Sequence, residues 1–125
     1  MYEIMIQESF SAAHRLRNYG GQCEDLHGHN WRVDVVVRAR ELDSTGLAID
    51  FKELKKHTRE ILSSLDHAFL NELEPFQQLN PSSENIARFI FQGLRERLAG
   101  TDLSVMRVNV WESDHSCASY LGEEP

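Results

Sequence analysis

The chain has 125 residues, with 13 Lys or Arg against 20 Asp or Glu and a formal net charge of −7. At 41% hydrophobic and 26% charged residues it is expected to fold, as one domain spanning 1–125. The acidic balance excludes general nucleic-acid binding, which needs a basic face. Without a signal-like h-region or a run of about 18 apolar residues, a cytoplasmic protein with no membrane segment is expected.

Residues 2–10 alternate, Tyr2, Ile4 and Ile6 against Glu3, Met5 and Gln7, and predict a first strand. The stretch 18–25, with Gly20-Gly21, reads as a loop. A second strand is predicted from His27 to Glu41, with Val33, Val35, Val37 and Ala39 on one face and Arg32, Asp34, Arg38 and Arg40 on the other. Asp43-Ser44-Thr45-Gly46 is a turn. Asp50 then reads as a helix N-cap with Glu53 as its capping-box partner. That helix runs to about Ser64, with Leu54, Ile61 and Leu65 inward. Pro81-Ser82-Ser83-Glu84 opens a second helix, capped by Ser82 or Ser83, with Glu84 near the positive end of its dipole. Ile86, Phe89, Ile90, Leu94 and Leu98 form its apolar stripe, and Gly100 stops it. Ser104 to Trp111 alternates again, and a short last strand is placed at Ala118 to Leu121. The order β-β-α-α-β-β predicts an α+β fold: a four-stranded antiparallel sheet with two helices on one face. So small a sheet with so long a second strand needs its edges covered or paired, so a symmetric homo-oligomer is expected.

The chemistry centres on His27-Gly28-His29. In extended backbone, positions i and i+2 point to one face, so both imidazoles aim at a common point. Gly28 permits close backbone approach. With His14 upstream the chain offers three nitrogen donors, and three protein ligands plus an open position is the pattern of a catalytic zinc. Cys23 admits two readings. As a fourth ligand it would close an inert structural site; as a thiolate with its pKa lowered by metal or imidazole it would be a base or nucleophile. Asp66-His67 sets a carboxylate beside an imidazole. Adjacent residues seldom bond each other, so the pair would present two groups to a third, unless His67 merely caps the helix. Glu112 ends a strand, where a glutamate is commonly solvated. His57 and His115 read as surface residues, and Cys117 as a small buried hydrophobe outside any disulfide framework.

Taken together, these motifs resemble the 6-pyruvoyl-tetrahydropterin synthase and 6-carboxy-tetrahydropterin synthase family over nearly the whole chain. The resemblance rests on Phe10-Ser11-Ala12-Ala13-His14, Cys23-x-x-x-His27-Gly28-His29-Asn30, Thr45-Gly46 with Ile49-Asp50-Phe51, Leu65-Asp66-His67 with Leu70-Asn71, Asn80-Pro81-Ser82-Ser83-Glu84-Asn85, and Glu112. It implies a tunnelling fold (T-fold), in which trimers close a barrel from their sheets and two trimers stack into a hexamer. It implies Zn²⁺ on His14, His27 and His29. It gives Cys23, Asp66 and His67 to proton transfer, the Asp-His pair coming from a neighbouring subunit. It makes Glu112 the acceptor for the pterin's 2-amino and N3 edge, and places Ser83 and Glu84 in the pterin pocket. The three-residue gap between Cys23 and His27, and Ile49-Asp50-Phe51, resemble the 6-carboxy branch of the queuosine pathway. That branch converts 7,8-dihydroneopterin triphosphate to 6-carboxy-5,6,7,8-tetrahydropterin, acetaldehyde and triphosphate. Trp31 in place of Tyr or Phe, Ala68 in place of His, and Ser82 in place of Thr are departures that remove no proposed ligand or base. Arg15, Arg17, Lys52, Lys55, Lys56 and Arg88 are candidate partners for the triphosphate. The alternatives are 6-pyruvoyl-tetrahydropterin synthesis, a non-catalytic zinc module closed by Cys23, and a hydrolase with Cys23 as nucleophile.

Overall fold

The structure, a computed structural model, describes residues 1–18, 20–21 and 23–122. Two long strands, β1 (Tyr2–His14) and β2 (His27–Ala39), pair antiparallel in unbroken register from Tyr2 opposite Ala39 to His14 opposite His27. The first strand thus continues past Phe10 to His14. Its apolar alternation fades over Ser11-Ala12-Ala13, where small residues pair with Gly28 and its neighbours. Helix α1 (Phe51–Leu62) starts at Asp50, whose carboxylate accepts from the Lys52 amide at 2.8 Å. The cap therefore serves the second helical amide, not the Glu53 amide that a capping box would use.

The sheet has five strands among the described residues, not four. After α1 the chain reverses at His67, which holds φ 59°, and lays β3 (Ala68–Phe69) parallel to Ala12–Ala13. Two residues carry no readable periodicity, so this strand is invisible in the sequence pattern. Two single turns of 3₁₀ helix (Leu70–Glu72, Glu74–Phe76) lead to α2 (Ser83–Arg97), capped by the Ser82 hydroxyl on the Asn85 amide. Gly100, at φ 81°, follows its end. Strands β4 (Ser104–Ser113) and β5 (Ser116–Leu121) complete a sheet ordered β3-β1-β2-β4-β5.

Both helices cover one face. Helix α1 packs on β1 and on α2, while α2 packs on β4 and β5. Between them lie Ile6, Phe10, Trp31, Val33, Val35, Val108 and Val110 from the sheet, with Leu54, Ile61, Ile86, Ile90, Phe91 and Leu94 from the helices. The opposite face is different. There Gln7, Arg32, Asp34, Asn109 and Trp111 meet through side-chain contacts. Cys117, expected to be buried, is exposed, because alternation along edge strand β5 sets it opposite Trp111 on this helix-free face. Burial still pushes its thiol pKa above the ordinary value. His57 is half-buried in α1, not on the open surface.

Candidate metal centre and active site

Strand register assembles the histidines. His14 closes β1 directly opposite His27, which opens β2, and His29 follows on the same face. Glu112 arrives from β4: Arg32 pairs with Trp111, so Glu112 falls opposite Trp31, on the helix-covered face. One donor atom from each of the four lies within 4.8 Å of all the others. The imidazoles stand edge-on to one another, with ring centroids 4.6–5.3 Å apart. Beneath them Trp31 is fully buried, 4.9 Å from the His14 ring and 5.2 Å from the His29 ring, and donates its indole N–H to Ala12 O.

The donor set fits a metal ion. His14 Nδ1 donates to Pro81 O at 2.7 Å, and His27 Nδ1 donates to Asp25 O at 2.8 Å. A carbonyl can only accept, so both Nδ1 atoms carry the proton and both Nε2 lone pairs face the centre. The Nε2 atom of His14 is buried and makes no hydrogen bond. Burial, the largest influence, pulls the His29 pKa below its ordinary value against the opposing charge of Glu112, and this favours the neutral, ligating ring. Glu112 Oε1 lies 2.8, 3.7 and 3.9 Å from the Nε2 atoms of His29, His14 and His27. Ligands about 2.0–2.1 Å from a tetrahedral metal stand about 3.4 Å apart, so this carboxylate occupies the place of a fourth donor. Cys23 does not belong to this group. It is exposed, in the loop between β1 and β2, beside a neck where Glu24 bonds Leu16 both ways: Leu16 N to the carboxylate, Glu24 N to Leu16 O.

Asp66 and His67 bond directly to each other, contrary to the expectation for neighbours: His67 Nδ1 is 3.0 Å from Asp66 Oδ1. The left-handed backbone at His67 swings the ring back over the preceding carboxylate. The same oxygen accepts from Ser11 N at 2.9 Å, and this bond above all holds the Asp66 carboxyl below its ordinary pKa. His67 lines a shallow groove of about 510 Å³ with Ser11, Ala13, Gly28, His29, Asn30 and Phe69. Ser11, Ala13, Gly28 and Asn30 alternate onto the helix-free face, whereas the imidazole cluster lies on the covered one. A Cβ on Gly28 would sit 3.7 Å from Ala12 O, an ordinary contact, so close backbone approach is not what this glycine supplies.

The family profile described as 6-pyruvoyl tetrahydropterin synthase matches residues 3–123. The chain belongs to that family. A Synechocystis member named 6-carboxy-5,6,7,8-tetrahydropterin synthase is 38% identical, over 97% of this chain and 94% of its own. A Pyrococcus furiosus member named dihydroneopterin monophosphate aldolase is 35% identical, over 89% of this chain and 90% of its own. The solved Caenorhabditis elegans 6-pyruvoyl tetrahydropterin synthase superposes with a TM-score of 0.83 at 28% identity, over 98% of this chain and 96% of that one.

Relative to this family frame, Ser83 and Glu84 open α2 just after Pro81, whose carbonyl holds His14. Ser83 is half-buried and Glu84 exposed. Sequence reasoning missed three parts of the centre: the Trp31 floor, the carbonyls of Asp25 and Pro81, and the reach of Glu112 to the imidazoles. Only the position of Pro81, inside the Asn80–Asn85 motif, hinted at any of them. Among the triphosphate candidates, Arg17 is already engaged, its guanidinium on Phe76 O. Among the described residues, no helix is long and apolar enough to cross a membrane.

Proposed function

We propose that this enzyme is a zinc-dependent 6-carboxy-tetrahydropterin synthase of the queuosine pathway, acting in the cytoplasm on 7,8-dihydroneopterin triphosphate. The observation that carries the reading is the convergence of three Nε2 atoms, two of them with lone pairs turned inward by backbone carbonyls, on one point at the rim of the covered face. His14, His27 and His29 would hold the zinc. Bound there, zinc supplies Lewis acidity toward the hydroxyls of the substrate side chain. Glu112, at the place of the fourth donor, turns to the pterin's 2-amino and N3 edge when substrate is present, exchanging one partner for two N–H donors. Ser83 and Glu84 line the same pocket. Cys23 removes a carbon-bound proton beside the ring. Asp66 stays ionised and orients the His67 imidazole, which moves protons on the other side as triphosphate leaves.

The pair that serves a given zinc comes from a second copy. Within one chain Asp66 and His67 stand outside the donor cluster of His14, His27, His29 and Glu112, and among the described residues the sheet ends at β3 and β5. A trimer or a dimer of trimers closes those edges and builds each site at an interface. The deciding experiment incubates zinc-loaded protein with dihydroneopterin triphosphate and identifies the products. A 6-carboxy product with acetaldehyde and triphosphate is expected. A 6-pyruvoyl product moves the chain to the other synthase branch. Side-chain cleavage without release of triphosphate favours the aldolase activity named for the Pyrococcus relative.

A further inference from the structure

Asp34 is a buried carboxylate on the face that no helix covers, only 4% exposed. Three donors from two neighbouring strands fill it. Gln7 Nε2 on β1 donates to Oδ1 at 2.9 Å, while Asn109 Nδ2 and Trp111 Nε1 on β4 donate to Oδ2 at 3.1 and 2.8 Å. Arg32 Nε stands 3.7 Å from Oδ1, and its guanidinium lies over the Trp111 ring at 4.3 Å. Ser119 on β5 donates to Asn109 Oδ1 and ties in a fourth strand. Burying a carboxylate is costly unless it is fully partnered, so this side of the sheet is organised around one residue.

The position of Trp111 gives the arrangement its meaning. It is the last residue of β4 paired in regular register with β5: Trp111 faces Cys117, but Ser113 already faces Ser116. Glu112 is therefore the residue at an irregularity in the ladder, and bulges re-aim side chains and loosen strand ends. At Glu112 itself the register slips by one residue, so the β4–β5 pairing alone does not aim its side chain. Trp111 itself is clamped, by its indole N–H on Asp34 and by Arg32 on its ring. With Trp111 clamped on the helix-free face, the carboxylate of Glu112 lies on the other, 2.8 Å from His29 Nε2.

We infer that Asp34 is a positioning residue for the metal centre, acting through Trp111 to hold Glu112 against the three histidines from the opposite side of the sheet. The inference rests on the reading of His14, His27, His29 and Glu112 as a metal centre. The test measures Co²⁺ affinity of the metal-free protein, with melting temperature alongside, for wild type, Asp34→Asn, Glu112→Gln and the double variant. Trp111→Phe, which deletes only the indole donor, serves where Asp34→Asn does not fold. Loss of a residue that orients a ligand typically weakens metal binding about 10–100-fold. Asp34→Asn and Glu112→Gln should each weaken Co²⁺ binding at least about tenfold, and the double variant no further. An unchanged affinity in Asp34→Asn and Trp111→Phe overturns the inference. So does an equal loss with and without Glu112, since that marks a merely structural effect. A wild-type protein that binds no Co²⁺ would instead refute the metal-centre reading itself.

Discussion

At the scale of single residues, the orientation of a ring nitrogen separates a ligand from a buried histidine. His14 is nearly inaccessible, and its inward nitrogen makes no hydrogen bond. Buried side-chain nitrogens are as a rule hydrogen-bonded, so an unpaired nitrogen facing two more imidazoles marks a ligand. His27→Ala should therefore lose metal and turnover together, read by metal analysis and by product formation. Cys23→Ala should keep its zinc and lose turnover about 10²–10⁴-fold, the usual effect of removing a general base; zinc loss in that variant would instead make Cys23 a ligand. Asp66 provides a pH test. Its folded pKa lies below the ordinary value because the Ser11 amide stabilises the charged form. Its contribution to stability is thus fully present above the unfolded pKa and is lost as pH falls through the lower, folded value. A carboxyl titration followed by NMR should place the Asp66 midpoint below that of a model aspartate, and the turnover profile should show no acid limb from this residue above about pH 4. A midpoint at or above the model value would remove the Ser11–Asp66 bond from the account.

At the scale of elements, the exit of β1 is locked by side chains. Asn71 bonds both backbone groups of Arg15, Glu24 both of Leu16, and Asn80 both of Arg17. Three consecutive residues after His14 are thereby satisfied outside any sheet, and the loop carrying Cys23 leaves from a fixed neck. Asn80→Ala removes two partly buried bonds and should lower unfolding free energy by about 1–3 kcal/mol. It should also speed proteolytic cleavage between residues 17 and 24, and a cleavage rate equal to wild type would show the neck is held elsewhere. Ser82→Ala, which loses the cap of α2, should cost about 1 kcal/mol in a denaturant titration. These asparagines sit inside motifs that were legible in the sequence, but their partners lie 56 and 63 residues away. No local pattern encodes that separation.

At the scale of the whole molecule, Asp66 and His67 pair with each other and stand outside the donor cluster of His14, His27, His29 and Glu112 within one chain. Co-expressing two inactive variants, Cys23→Ala and His67→Ala, should restore part of the activity, because some mixed interfaces then pair an intact Cys23 with an intact His67. Verified mixed oligomers that stay inactive would mean that each chain completes its own site.

The sequence by itself determined the periodic parts. Alternation and the 3.6-residue stripes picked out Val33, Val35, Val37, Val108, Val110, Leu54, Ile61, Ile86, Ile90 and Leu94, all buried, but not the burial of Asp34, Val36 or Phe91, and Met106 and Phe89 are only half-buried. It also determined that His27 and His29 share a face, which follows from two-residue spacing in a strand. Only tertiary structure decided that His14 faces His27, because cross-strand register depends on pairing along the whole of β1 and β2. The same holds for Glu112, which reaches the imidazoles from a strand over 80 residues downstream through the β2–β4 register. It holds as well for Asp66 and His67, whose direct bond required a left-handed backbone angle that side-chain type does not announce.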